Sequence, residues 1–190
     1  MIDLSKGISL FISNDNQTLH TLSELINFLS DEYTFLNVSF GVDKFGISSI
    51  MAKINVKEND YKEKIKSNLF RVEILIINLP YQLQNYTHFF NFLQSLNITT
   101  FIITPHSKST DILDNCNSYI RNFYEIKDNP DYIKRFSNPT SIASIDLGLL
   151  SDRYLIKNIN TDEEFTISQY KKSYIRDKKI DIFLDGNLDD

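Results

Sequence analysis

The stretch RVEILIINLP, Arg71 to Pro80, decides the fold class. Its centre, VEILIINL, is apolar at nearly every position. A strand that faces water on one side alternates polar and apolar residues, whereas a strand buried on both faces does not. The run therefore predicts an interior strand of a parallel sheet, closed by Pro80. Asn85 to Leu96 follows, with Phe89, Phe92, Leu93 and Leu96 at helical spacing. Ile98 to Thr104 is a second apolar run, closed by Pro105. Strand, helix and strand within about 34 residues is the length of one βαβ unit.

The same grammar extends in both directions. Gly7 to Ser13 predicts a first strand, stopped by SNDN. A helix over Leu19 to Leu29 follows, with Leu22, Leu25, Ile26 and Leu29 on one face and Thr21 and Glu24 at capping-box spacing; Asn16 and Thr18 are alternative caps. Tyr33 to Phe40 and Ile47 to Val56 are further strands, separated by the turn GVDKFG. KENDYKEKIKSNL is a short exposed helix. Downstream, Asp111 to Ile120 predicts a helix and NFYEIKD a short strand.

The chain changes character after Pro130. DYIKRF predicts a helical turn, and Ser141 to Leu147 a strand. Arg153 to Ile159 and Glu164 to Ile167, parted by NTDE, read as a hairpin. A basic segment, KKSYIRDKK, precedes a final strand expected over Ile180 to Leu184. The fold class expected is three-layer α/β: a mostly parallel sheet with helices on both faces, plus a small C-terminal β-rich extension. The division expected is residues 1–130 for the α/β domain and 131–190 for the extension.

Composition narrows function only a little. The 190 residues carry a formal charge of -5, which opposes broad nonspecific nucleic-acid binding but leaves room for a local basic patch. Five glycines and four prolines argue against long flexible linkers. The single cysteine, Cys116, excludes an intrachain disulfide framework and a cysteine-based zinc cluster, and reads as a buried helical thiol. The N-terminus lacks a signal-peptide pattern and no apolar run is long enough to span a bilayer. A cytoplasmic protein is expected, with no membrane insertion.

In an open parallel sheet, ligands bind beyond the carboxyl ends of the strands. That rule gathers a candidate crevice from Asn14, Asp15, Asn78, Thr104 and His106, to which the first resemblance given below adds Lys127. The same residue types also cap helices and make turns, so the crevice and simple turn chemistry both stand as readings. No catalytic set is expected. His20, His88 and His106 are far apart and show no metal-ligand spacing, so no metal site is predicted. Cys116 has no local feature that would lower its pKa.

With these residues in place, the pattern resembles receiver domains of bacterial response regulators over Gly7 to Pro130. SND puts Asn14 and Asp15 at the family's acidic pair. IINLP puts Asn78 at its phosphoacceptor, IITPH puts Thr104 at its switch hydroxyl, and YEIKDNP puts Lys127 near its lysine. Asn78 cannot form an acyl phosphate and Asn14 removes magnesium-binding charge, so the resemblance implies a degenerate pseudo-receiver. A second resemblance is to partition-type P-loop ATPases, carried by IINLP and FIITPHSKS. Here SNDNQTLHT contains neither glycine nor lysine, so the phosphate loop of that family is absent.

The function expected is a non-enzymatic regulatory or scaffolding protein, working through a protein partner or as a homo-oligomer and needing no cofactor. The alternatives are nucleotide or phosphate binding at the crevice, and local nucleic-acid binding by the basic segment through Lys171, Lys172, Tyr174, Arg176, Lys178 and Lys179. On a helix, Lys172 and Arg176 would share one face and Tyr170 and Tyr174 another.

Overall fold

A computed structural model of the chain describes residues 1–13, 15–40, 52–79, 83–136 and 152–185; for 13, 15–20, 106–108, 133, 135, 136 and 182–185 only the backbone is described. The elements run β1 (Gly7–Ser13), α1 (Asp15–Leu29), β2 (Phe35–Phe40), β3 (Ala52–Val56), α2 (Tyr61–Asn68), β4 (Ile74–Asn78) and α3 (Tyr86–Ser95). They continue with β5 (Thr99–Pro105), α4 (His106–Cys116), a 3-10 turn (Asn117–Tyr119), β6 (Ile120–Asp128), α5 (Pro130–Phe136), β7 (Tyr154–Asn158), β8 (Glu163–Phe165) and α6 (Ile167–Asp185).

One eight-stranded sheet carries them in the order β3-β2-β4-β5-β1-β6-β7-β8. All pairings from β3 to β6 are parallel, and β6-β7 and β7-β8 are antiparallel. β4 is buried at every position, as its unbroken apolar run requires. The hairpin predicted near residue 160 forms, and its strands continue the main sheet rather than starting a second one.

The helices divide between the two faces. Buried residues of α2, α3 and α4 join Leu10, Leu36, Leu75 and Ile102 in one core. Buried residues of α1 and α6 join Phe11, Phe35, Ile76, Phe101 and Ile156 in the other. The chain's direction across the sheet accounts for the division. From β3 through β4, β5 and β6 it steps one way, whereas β1 to β2 steps back. Crossovers of one hand then land on opposite faces. The N-terminal segment is pinned to the second face by Tyr124. Its hydroxyl accepts from Asp3 N–H at 3.0 Å and donates to the Met1 carbonyl at 3.2 Å. Its ring stacks on Phe11, and burial pushes the phenol up to about 12. Among the described residues, no helix is long and apolar enough to cross a membrane.

Several expectations are corrected. A receiver-type sheet runs 2-1-3-4-5, with its first strand between the second and third. Here β1 lies between β5 and β6, and two strands separate it from β2. The receiver resemblance is therefore wrong: similar strand endings are threaded into a different order. α1 starts at Asp15, earlier than expected, so Thr21 is a buried mid-helix residue and not part of a cap. α4 starts at His106 directly after Pro105 and ends at Cys116. The last strand is also wrong. Thr166 and Gln169 form a reciprocal cap, with Gln169 N–H donating to Thr166 Oγ1 at 3.2 Å and Thr166 N–H to Gln169 Oε1 at 2.8 Å. That cap starts α6, which continues through the apolar IDIFL as helix. The turn GVDKFG, the first part of the Ile47–Val56 strand and the strand over Ser141 to Leu147 lie outside the described residues.

Candidate functional site

β1 and β5 are neighbours in register, with Ile12 opposite Thr104 and Ser13 opposite Pro105. Each strand passes almost at once into a helix, and the two helices leave on opposite faces of the sheet. Such a divergence is the topological switch point at which doubly wound sheets open a crevice. The amino ends of α1 and α4 flank it. Each presents backbone N–H groups without partners inside the helix, with the positive end of the helix dipole behind them. α4 adds no acidic residue to its first turn and no side-chain cap at Pro105.

Asn78 and Thr104 both reach this edge. Asn78, the last residue of β4, pairs with Ile103 of β5. The two side chains do not meet. Thr104 is in phase with Ile102, which belongs to the core under α2, α3 and α4. Asn78 is in phase with Ile74 and Ile76, on the face of α1 and α6. Thr104 is 1% exposed and its hydroxyl has no hydrogen-bond partner among the described residues. A buried hydroxyl left unpaired costs on the order of 1–3 kcal/mol, so it marks a place where a further group is expected. Asp15 and His106 stand at the first turns of α1 and α4, where only the backbone is described, and Asn14 lies outside the described residues.

Lys127 does not belong to this group. It sits on β6, three strand spacings from Asn78, or about 14 Å across the sheet. Its amine is held by Glu164 of β8 at 2.5 Å. Sequence reasoning misplaced it by assuming the receiver order.

Two residues of β2 were missed. Asn37 and Ser39 are both buried in the all-buried strand FLNVSF. They share a face with Phe35, and Ser39 lies directly opposite Asn78. Asn37 is 1% exposed, and neither its amide nitrogen nor its oxygen has a partner among the described residues. Asn37, Ser39 and Asn78 thus form a polar strip on that face, at the carboxyl half of β2 and β4. The signal was available: polar residues two apart inside an apolar strand occupy one face.

The catalytic options are thin. Among the described residues, no three His, Cys, Asp or Glu side chains gather as metal ligands. Cys116 is buried at the end of α4, and burial pushes its thiol up, away from the reactive thiolate. A cavity of about 330 Å³ opens at the opposite edge of the sheet, bounded by Lys6, Gly7, Gln94, Tyr119 and Arg121. Arg121 there is engaged with Asp3 at 3.2 Å and with the Lys6 carbonyl at 3.3 Å. This cavity is remote from the switch point.

The basic segment is helical and splits into two sets. Lys171 reaches Glu24 of α1 at 3.1 Å. Lys178 and the Tyr174 hydroxyl both donate to Glu32. The Lys178 ammonium and then the Tyr174 hydroxyl hold the Glu32 carboxyl below its ordinary range. Burial, and then Glu32, raises the Tyr174 phenol. Tyr170 is fully buried. Lys172, Arg176 and Lys179 instead point to solvent. The predicted separation of Lys172 and Arg176 from the two tyrosines is present, but Lys171, Tyr174 and Lys178 are committed to α1 and the turn that follows it.

No protein-family model matches the chain, and no curated protein matches it. Among solved structures, the chain is similar to the flagellar accessory protein FlaH from Methanocaldococcus jannaschii. The likeness covers 80% of this chain and 77% of that one at 10% identity, with a TM-score of 0.49.

Proposed function

We propose that the protein is a non-enzymatic regulatory domain that binds a phosphate-bearing ligand, a nucleotide or simpler phosphoester, at the switch point between β1 and β5. The observation that carries this reading is the pairing of β1 with β5 while α1 and α4 leave on opposite faces. Two helix amino ends and the unpaired Thr104 hydroxyl suit an anion held by N–H and O–H groups. The absence of glycine and lysine from residues 13–21 argues for binding without phosphoryl transfer. In this reading the bound ligand sets the conformation or stability that a protein partner senses.

Thermal unfolding of the whole chain with ATP, ADP, GTP and inorganic phosphate tests it. A ligand present at about 100 times its Kd adds roughly 2.7 kcal/mol, which raises Tm by several degrees. The expected result is a saturable rise with at least one of these ligands, reduced in Thr104→Val. Unchanged Tm with all four at millimolar concentration overturns the reading.

A further inference from the structure

α6 has two faces, and among the described residues only one is covered. Ile167, Tyr170, Lys171, Tyr174 and Lys178 close the seam against α1 and the sheet. On the opposite side, Lys172, Ile175, Arg176, Lys179 and Ile180 follow one another at steps of three, one, three and one. These steps keep all five within one stripe of a 3.6-residue helix. The stripe lines a shallow groove on the surface. Ile175 is 47% and Ile180 49% exposed, although both are large and apolar. Lys172 and Lys179 have no ion-pair partner among the described residues, and Arg176 pairs only with its own neighbour Asp177 at 3.0 Å. Three cations thus run along about 10 Å of helix, with an isoleucine on either side.

We infer that this outer stripe of α6 is a docking surface for an acidic, amphipathic helical segment of a protein partner. Carboxylates of the partner lie along Lys172, Arg176 and Lys179, and its apolar side chains cover Ile175 and Ile180. Charge complementarity selects this occupant: the outer stripe carries three cations and no acid of its own, in a chain of net charge -5. Nucleic acid fits less well. Both tyrosines of the helix are turned inward, so no ring is offered to a base, and Asp177 stands beside Arg176. A lipid surface fits less well too, because two isoleucines bury little area and the acidic remainder of the chain is repelled by anionic headgroups. Helix-in-groove recognition uses anchors at the spacing found here.

The test uses the whole chain and a synthetic helical peptide with Glu at three positions spaced four and three residues apart and Leu beside them. Titration by fluorescence anisotropy is expected to give saturable binding that weakens as salt rises. The double variant Arg176→Glu/Lys179→Glu should weaken it by about tenfold or more, and Ile175→Ser by several-fold. Lys134→Glu, a charge change of the same sign on exposed α5, should leave it unchanged. All these side chains are exposed, so circular dichroism and Tm should match the parent; a variant that fails this check is replaced by Lys172→Gln/Lys179→Gln. Equal binding of a peptide with Lys in place of Glu overturns the inference. So does tighter binding to a single-stranded oligonucleotide or to phosphatidylserine vesicles. A dimer seen by light scattering and dissolved by the double variant also overturns it, since the occupant is then a second copy.

Discussion

Buried Asn and Thr fare differently in the two halves of the sheet. In the antiparallel half every such residue is bonded. Asn158 Oδ1 accepts from the backbone of Asn160 at 2.9 Å and Thr161 at 3.3 Å. Asn160 Oδ1 in turn accepts from Phe123 N–H at 2.9 Å, and Thr166 Oγ1 donates to Asp152 at 2.7 Å. In the parallel half, Thr99 Oγ1 donates to the Leu4 carbonyl at 2.8 Å and Thr100 Oγ1 to the Ile98 carbonyl at 3.5 Å, but Asn37 and Thr104, at least as deeply buried as Asn158, have no partner among the described residues. The first set builds turns and a helix start. The second supports no local structure, which is why it points toward a ligand. Polar burial by itself does not mark a site; burial without a partner calls for an explanation. Thr21, Tyr86 and Tyr170 also carry unpaired hydroxyls among the described residues, so it is the place of Thr104 at the switch point that sets it apart.

Substitutions can break or sharpen this contrast. The largest effect is expected for Asn158→Ala, which strands two turn N–H groups and should cost about 1–3 kcal/mol, read as a fall in the urea midpoint. Asn37→Val should do the reverse. Removing two unpaired amide atoms from an apolar face should stabilise the free protein by about 1 kcal/mol in the same assay. A marked loss of stability would mean that Asn37 is bonded in solution, and the contrast would fail. Thr104→Val keeps the shape and removes an unpaired hydroxyl, so it should stabilise the free protein by up to about 1 kcal/mol while reducing any phosphate-dependent rise in Tm.

The smallest expected effect concerns the seam between α1 and α6. The Glu32 carboxyl is held below its ordinary value of 4.5 by Lys178 and Tyr174. A depressed folded-state value means that the unfolded chain binds the proton more readily. The contribution is therefore present above the ordinary value and is lost as pH falls through the depressed one. Glu32→Gln should flatten that acid limb of a stability–pH curve and change little at pH 7, because the pair is partly exposed.

Much of the fold was legible from local pattern. The unbroken apolar run of β4, the helical spacing in α3 and the turn residues of the β7–β8 hairpin each report their own surroundings. Strand order is a different kind of information. A parallel crossover connects strands without fixing how many others lie between them, so β1 could not be placed beside β5 and β6 from the residues alone. That single uncertainty produced the receiver resemblance and carried Lys127 into a site it does not reach. Asn78 and Thr104 were recognised as strand ends, but their opposite facing follows from register, which the sequence does not print. α6 is a miss of another sort. The capping pair in TISQ was readable, yet the apolar IDIFL drew the eye as a strand.

The position of β1 also shapes how the chain must assemble. Its partners begin at Thr99 and Ile120, so Gly7 to Ser13 emerges from synthesis long before either neighbour exists. β4, α3 and β5 can associate from contacts close in sequence, but the slot between β5 and β6 closes only when the oldest segment of the chain returns to fill it. Such long-range closure slows folding and leaves an apolar strand waiting. Pulse-labelled hydrogen exchange should therefore protect Ile74 to Pro105 before Gly7 to Ser13, and an N-terminal truncation that removes β1 should leave two strand edges exposed at the centre of the sheet.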